Sequence, residues 1–284
     1  MNAIFLYSDA PGNGRIISKI EIIRTRLEEI FNYVNIAKAS DLSELDKLAK
    51  TACFEYDVLV FAGGDGTFNR IVNVISKEEK RPIIGYIPSG TLNDFGKNFG
   101  IDRHIKKSLN IIKKGKIQEF DIGIINNQTY FAFVAAIGTF SEISYATKRK
   151  RIKTFGRMAY YMNAVKDAVI PRSFEVKITI DGKTNQHRVP FLMLLNSKYV
   201  GGFPVNLKNA LDDGKFDVYL TKPGLFNGLL NYLFLKRRTS YYRVDEVIIN
   251  PVINTPWCID GEEGPMGEIH IRLINKHLRI YTNK

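Results

Sequence analysis

Two cysteines, Cys53 and Cys258, in a chain of 284 residues leave no room for a disulfide framework or a thiolate metal site. A reduced, cytosolic protein is the expectation. The four histidines, His104, His187, His270 and His277, are scattered without metal-ligand spacing on a helix. They form no Ser/His/Asp set either, and read as surface or structural residues. Long apolar runs are missing too: Tyr130 to Ile137 and Val189 to Leu195 are the longest, well short of the ~18 residues that would span a bilayer. The start shows no charged segment followed by an apolar one, and Ala3 to Tyr7 reads as a first strand. No internal repeat, low-complexity tract or Pro/Ser linker is visible. Acidic residues are comparatively few, 29 against 41 basic, which leaves a net charge of +12.

What is present suits a folded, core-forming protein: 45% of residues are apolar and 12% aromatic. The length points to about two domains. From Met1 to about Ile117, strand and helix alternate. Ile4 to Tyr7 is a strand, and Ile16, Ile20, Ile23, Leu27, Ile30 and Val34 follow at helical spacing. A strand near Val34 to Ala39 comes next, then a helix carrying Leu42, Leu45, Leu48, Ala49 and Ala52. This alternation predicts a parallel sheet with helices on both faces. From Gln118 on, strands dominate: Phe120 to Ile125, Thr129 to Ala136, Phe174 to Ile180, Arg188 to Leu195, Phe216 to Leu220, Val244 to Ile249, Glu268 to Leu273 and Leu278 to Tyr281. Asn126-Asn127 and Asp181-Gly182 are hairpin signals. Helices are expected at about Thr139 to Lys148, Gly156 to Ala168 and Leu225 to Leu235. The expected division is an α/β domain over 1–120 and an antiparallel, β-rich domain over 121–284.

Two stretches carry the chemistry of the first domain. Val58, Leu59, Val60, Phe61 and Ala62 read as a strand buried on both faces. It stops at Gly63, Gly64, Asp65, Gly66 and Thr67, and a helical pattern of Phe68, Ile71, Val72 and Ile75 follows. Strand, glycine turn and helix leave main-chain N–H groups facing an anion, and glycines let a phosphate approach without meeting a Cβ. Asp65 is informative, because a carboxylate beside a phosphate is repulsive unless a divalent cation stands between them or it binds something else. The second stretch, Ile83 to Phe95, again runs from an apolar strand into a polar turn. In an open α/β sheet, loops at the carboxyl ends of neighbouring strands share one crevice, where Asp65, Thr67, Thr91, Asn93 and Asp94 would converge.

Gly63-Gly64-Asp65-Gly66-Thr67 followed by Pro88-Ser89-Gly90-Thr91-Leu92-Asn93-Asp94-Phe95 resembles the catalytic domain of the diacylglycerol kinase family, including bacterial lipid kinases and, more distantly, sphingosine kinases. The first motif alone would also suit NAD kinases or phosphofructokinase relatives; the second favours lipid kinases. The resemblance implies a first domain like those of NAD kinase and phosphofructokinase, and a β-sandwich-like second domain. It also implies ATP as phosphoryl donor, Mg²⁺, and nucleotide binding by Gly63, Gly64, Asp65, Gly66, Thr67, Asn69, Thr91 and Asp94. Four positions depart from the family's habit: Ser8 and Asp9 stand where Asn-Pro is usual, Arg70 where Glu often follows the Asn, and Lys97 where Arg is common.

The second domain adds two acidic elements. Asp212, Asp213, Gly214, Lys215 and Asp217 read by themselves as a hairpin turn. The resemblance implies a structural magnesium there, with Asp212, Lys215 and Asp217 on the ligating positions, the latter two through main-chain carbonyls. Ile259-Asp260-Gly261-Glu262 follows a strand-like segment, so the two carboxylates would point the same way if the strand continued. By itself this is an ordinary acidic turn. The resemblance puts Asp260 and Glu262 on the positions of the catalytic base, and spacing does not decide between them. Such a group is needed because a lipid hydroxyl is a poor nucleophile at neutral pH.

The densest basic run is Lys148-Arg149-Lys150-Arg151-Ile152-Lys153, and Lys236-Arg237-Arg238 closes a later apolar helix. No nucleic-acid reader motif accompanies them. An anionic membrane surface fits better, each basic residue near it contributing about 1 kcal/mol. Leu225, Phe226, Leu229, Leu230, Leu233 and Phe234 offer either a lipid-facing surface or a core face. The reading is therefore an ATP-dependent lipid kinase converting diacylglycerol to phosphatidic acid, cytoplasmic and peripherally bound to membrane, with a homodimer left open. An NAD kinase-like enzyme and a catalytically weak lipid-binding protein are the alternatives.

Overall fold

A computed structural model of the chain describes residues 1–8, 14–138, 173–206, 210–223 and 239–284. The helices expected at 139–148, 156–168 and 225–235, the basic runs at 148–153 and 236–238, and most of the first loop lie outside these residues. The described chain is a mixed α/β fold with two principal sheets. It forms two compact units: Met1–Asp121 with Lys198–Pro204 and Lys276–Lys284, and Ile122–Ser197 with Val205–Asn275. Neither unit is a single continuous stretch, because two later segments return to the first.

In the first unit, parallel strands lie in the order Tyr33–Ala39, Asn2–Ser8, Val58–Gly63, Ile83–Pro88. The end of strand Ile269–Tyr281 adds a further parallel neighbour through Ile280 and Ile84. Every residue of Val58–Gly63 and Ile83–Pro88 is buried, as their unbroken apolar runs predict for strands covered on both faces. Helix Leu42–Glu55 follows its expected stripe, burying Leu45, Ala49, Ala52 and Cys53. It starts at Asp41, whose side chain accepts the Glu44 N–H, while Glu44 accepts the Ser40 N–H in return. The preceding helix is shorter than its apolar spacing predicts. It divides into Gly14–Ile17 and Ile20–Glu28, and Val34 belongs to the next strand. The break is a tight turn in which the Lys19 N–H bonds the Ile16 carbonyl.

In the second unit, one antiparallel sheet runs Thr239–Val244, Phe216–Thr221, Phe191–Leu195, Val134–Gly138, Pro256–Ile259, Glu262–Met266. The other places Glu246–Pro251 between Ile269–Tyr281 and the hairpin of Phe174–Ile180 and Lys183–Val189. The core joins residues of both sheets, among them Val176, Ile249 and Ile271 with Leu192, Val218 and Trp257. Asn126-Asn127 and Asp181-Gly182 turn with positive φ throughout, as their hairpin reading requires.

Several strand boundaries differ from expectation for identifiable reasons. The single strand expected over Arg188 to Leu195 divides at Pro190, which has no N–H to give to a ladder. Val244 to Ile249 divides at Asp245, the chain leaving one sheet for the other. Glu268 to Leu273 and Leu278 to Tyr281 merge into the one strand Ile269–Tyr281. Thr129 to Ala136 divides into Thr129–Phe131 and Val134–Gly138, again one strand in each sheet. That last crossing is held by an acid from the other end of the sequence, described below.

Candidate active site

The register of the first unit pairs Gly63 with Pro88, so both polar turns leave the sheet at the same level. The Gly63 carbonyl accepts the Ser89 N–H at 2.8 Å and the Tyr86 hydroxyl at 3.0 Å. The two motifs then touch main chain to main chain. A Cβ on Gly64 would lie 3.1 Å from the Cα of Gly90, and one on Gly90 only 2.6 Å from the Cα of Gly64. Helix Asp65–Ile75 starts at Gly64 with no side chain capping it, which leaves its first N–H groups to an anion. Phe68 stacks on Phe95 at 3.8 Å between ring centroids, and Tyr86 and Phe61 close the apolar floor below.

Asp65 opens that helix and accepts the Phe95 N–H at 3.2 Å. Burial, then the neighbouring Asp94 charge, pushes its carboxyl up to about 6, against the Phe95 and Asn93 N–H groups that lower it. Asn93 is left-handed, φ 51°, and its amide both accepts the Gly90 N–H at 2.9 Å and donates to the Gly90 carbonyl at 2.8 Å. Asp94 is buried, with the Lys97 ammonium at 2.7 Å and the Gly202 N–H at 2.9 Å. Thr67 is half-buried, Gly66 and Thr91 are exposed, and Asn69 is buried on the helix with Asn73 Nδ2 on its side-chain oxygen at 2.6 Å. Two of the departures, Arg70 and Lys97, find local partners. Arg70 makes a two-pronged pair with Asp46 at 2.6 and 2.7 Å, and Lys97 pairs with Asp94 while lying 5.9 Å from the Tyr199 ring centroid.

Sequence reading missed Asn98 and the segment Lys198–Pro204. Asn98 is fully buried, donates to the Asp94 carbonyl at 3.1 Å and accepts the Lys198 N–H at 2.8 Å. Tyr199–Val200 pairs with Phe203–Pro204 around Gly201 and Gly202, both at positive φ. Asp94 and Asn98 thus pin this small hairpin at its tip and its entry. The adjacent glycines after Val200 were the one sequence signal for the turn.

In the second unit, Asp260 and Glu262 do not share a strand. The strand ends at Ile259, and Asp260 and Gly261 form a tight turn at φ 49° and 90° that reverses the chain into Glu262–Met266. The expectation that both carboxylates point the same way is therefore corrected. Asp260 turns its carboxylate onto the main chain, accepting the N–H groups of Ala132, Phe133 and Val134 at 2.8, 2.9 and 2.8 Å. Burial still pushes its carboxyl up to about 6. Glu262 is exposed.

The Asp212 to Asp217 turn offers oxygen donors only. Asp212 is exposed, whereas Asp213 pairs with Arg243 and Lys215 with Asp245. The Asp217 carboxylate is buried, accepts hydrogen bonds from Asn206 and Tyr241, and has the Arg243 guanidinium 4.0 Å away. With those side chains engaged, positions 215 and 217 could offer a cation only main-chain carbonyls, beside the exposed Asp212 carboxylate, and Asp217 also pairs with Leu195 and Arg243 within the sheet. Such a set fits a hard cation of the Mg²⁺ type. Among the described residues, no group of three or more His, Cys, Asp or Glu side chains could hold a metal.

The raised carboxyl of Asp65 sets a stability window. A folded-state value of about 6 against 3.8 means that its contribution is complete below about pH 4 and is lost as pH rises through about 6. Relative to Asp65→Asn, the wild type should lose about 2–3 kcal/mol between pH 4 and pH 7. Urea midpoints of the two proteins across that range measure it, and a constant difference would contradict the burial assigned to this group.

Comparison with known proteins agrees with the geometry. The family model for the diacylglycerol kinase catalytic domain matches residues 2–125. A diacylglycerol kinase of Staphylococcus carnosus is 33% identical over 240 residues, 81% of this chain and 78% of that protein. The one from Bacillus subtilis is 30% identical over 287 residues, 96% of this chain and 94% of that protein. A crystal structure of a diacylglycerol kinase from Bacillus anthracis has the same fold, with a TM-score of 0.85 at 22% identity, covering 99% of this chain and 97% of that one. An NAD kinase-like reading is set aside, and the chain belongs to the diacylglycerol kinase family of lipid kinases.

Proposed function

We propose that the chain transfers the γ-phosphoryl group of ATP to the free hydroxyl of diacylglycerol, giving phosphatidic acid and ADP. The observation that carries this reading is the main-chain approach of Gly64 and Gly90, which gives a phosphate chain two adjoining turns without Cβ atoms in its way. The N–H groups at the start of helix Asp65–Ile75 and the Thr67 hydroxyl bind the phosphates. Thr91 bounds the same turn. Asp65 and Asp94 add negative charge beside a polyphosphate, which suits a bound Mg²⁺ that would neutralise the β- and γ-oxygens. We read the first unit as a nucleotide domain of the NAD kinase and phosphofructokinase type, and the second as a sandwich-like acceptor domain.

The acceptor hydroxyl oxygen bonds to the γ-phosphorus while the bond from that phosphorus to the β-bridging oxygen breaks. Its proton goes to a carboxylate. Asp260 has both oxygens engaged by three N–H groups, so proton acceptance falls to Glu262 and Asp260 acts by positioning the turn that presents it. Pure protein, labelled ATP, Mg²⁺ and a panel of lipids with NAD as control test the reaction; no transfer to any lipid would favour a lipid-binding protein instead. Glu262→Gln should lower kcat by about 10²–10⁴-fold with ATP binding kept. Asp260→Asn should lower the melting temperature as well, because an amide cannot accept all three N–H groups. Equal turnover in Glu262→Gln and wild type would place the base elsewhere.

A second Mg²⁺ at the Asp212 turn would hold the strand entry rather than react, and no step runs through it. Mg²⁺ should raise the melting temperature of the wild type by mass action and leave Asp212→Ala unmoved. Matching shifts in both would mean that the ion binds elsewhere.

Access to an insoluble acceptor calls for a membrane surface, and the basic run at 148–153 is the segment we assign to it. Binding to anionic vesicles should weaken as the screening length shortens from ~10 Å at 0.1 M salt to ~3 Å at 1 M. It should also weaken in Lys150→Glu/Arg151→Glu; binding indifferent to both changes would remove the run from this role.

A further inference from the structure

Arg103 lies outside both motifs, in the loop that leads into helix Ile105–Lys114. Its guanidinium Nη2 nevertheless reaches back to the Gly90 carbonyl, at 3.5 Å. Gly90 is the residue whose Cα rests against Gly64, directly before the uncapped start of helix Asp65–Ile75. One long hydrogen bond to a neutral carbonyl is a weak use of a guanidinium that carries five donors. The carbonyl is already satisfied, since Asn93 Nδ2 donates to it at 2.8 Å.

The charges around the turn sharpen the point. Asp65 and Asp94 bring two acids to it, and Lys97 is committed to Asp94. Arg70, next on the helix after Asn69, is turned to Asp46. Asp102, beside Arg103 in sequence, is used up by the His104 N–H, the His104 ring and the Lys107 ammonium. Arg103 is exposed and has no carboxylate partner among the described residues. Beside the Mg²⁺ proposed above, a polyphosphate entering this turn would meet two carboxylates and a lysine already paired with one of them, which leaves a place for a side-chain cation.

We infer that Arg103 is a nucleotide-binding residue whose guanidinium pairs with the phosphate chain of the bound nucleoside triphosphate. The side chain would exchange one long bond to the Gly90 carbonyl for charge-assisted bonds to phosphate oxygens. Because the guanidinium is a planar fork, a lysine would replace its charge but not its paired donors.

This inference rests on the nucleotide reading of the two glycine turns, and the test separates the two. Calorimetry would compare wild type, Arg103→Gln and Arg103→Lys for binding of ATP and of adenosine. ATP should bind Arg103→Gln about tenfold or more weakly, as expected for loss of a hydrogen-bonded charge. Adenosine should bind all three alike, and Arg103→Lys should recover part of the ATP affinity. The salt dependence of ATP binding should also flatten in Arg103→Gln. Wild-type ATP affinity in Arg103→Gln would overturn the assignment, as would an equal loss for adenosine, which would mean general damage to the pocket. If wild type binds no ATP at all, the nucleotide reading itself fails, and the inference with it.

Discussion

Three successive main-chain N–H groups, those of Ala132, Phe133 and Val134, converge on the carboxylate of Asp260. They belong to the point where the chain leaves one sheet of the second unit for the other, just where Val134 opens the strand that pairs with Phe191–Leu195. Left unpaired in the interior, each would cost about 1–3 kcal/mol. One acid on a hairpin turn satisfies all three, and its own N–H returns to the Val134 carbonyl at 2.8 Å. The two sheets that share the core of Trp257, Phe131 and Phe216 are thereby tied at a single residue. Asp260 is thereby committed to main-chain N–H groups, while Glu262, two positions on, is exposed.

The first unit depends on a constraint of the opposite kind, an absence of side chain. Gly64 and Gly90 meet backbone to backbone, and the paired register of Gly63 with Pro88 brings them to that height. A Cβ at Gly90 would overlap the facing main chain, so the two turns approach only as glycines. Beside this contact, burial and then the Asp94 charge raise the Asp65 carboxyl, Asp94 itself is paired with Lys97, and Arg70 is held by Asp46 on the neighbouring helix.

Asp94 and Asn98 show how a short helix serves two tasks. Its start supplies the Phe95 N–H to Asp65, and its buried polar side chains pin the hairpin of 198–204, whose sequence lies a hundred residues on. The fully buried Asn98 donates to the Asp94 carbonyl within its own helix and accepts the Lys198 N–H from the distant segment, which together satisfy a polar side chain in the interior.

Much of this was legible without coordinates, and for local reasons. Unbroken apolar runs at 58–62 and 83–87 specify strands covered on both faces, and the apolar spacing of Leu45, Ala49 and Ala52 specifies a helix face. The family resemblance rested on the same short, contiguous motifs. What stayed hidden depends on pairs far apart in the chain. The breaks at Ala132 and Asp245 are changes of sheet, which an alternating apolar pattern continues straight through. The opposite fates of Asp260 and Glu262 follow from a turn with positive φ and from N–H groups some 130 residues away. Arg103 carries no motif, and only the fold brings its guanidinium to Gly90. Local chemistry determined which residues could serve the reaction; tertiary structure decided which of them are already bound to the protein itself, because a hydrogen bond to a distant main chain leaves no trace in sequence spacing.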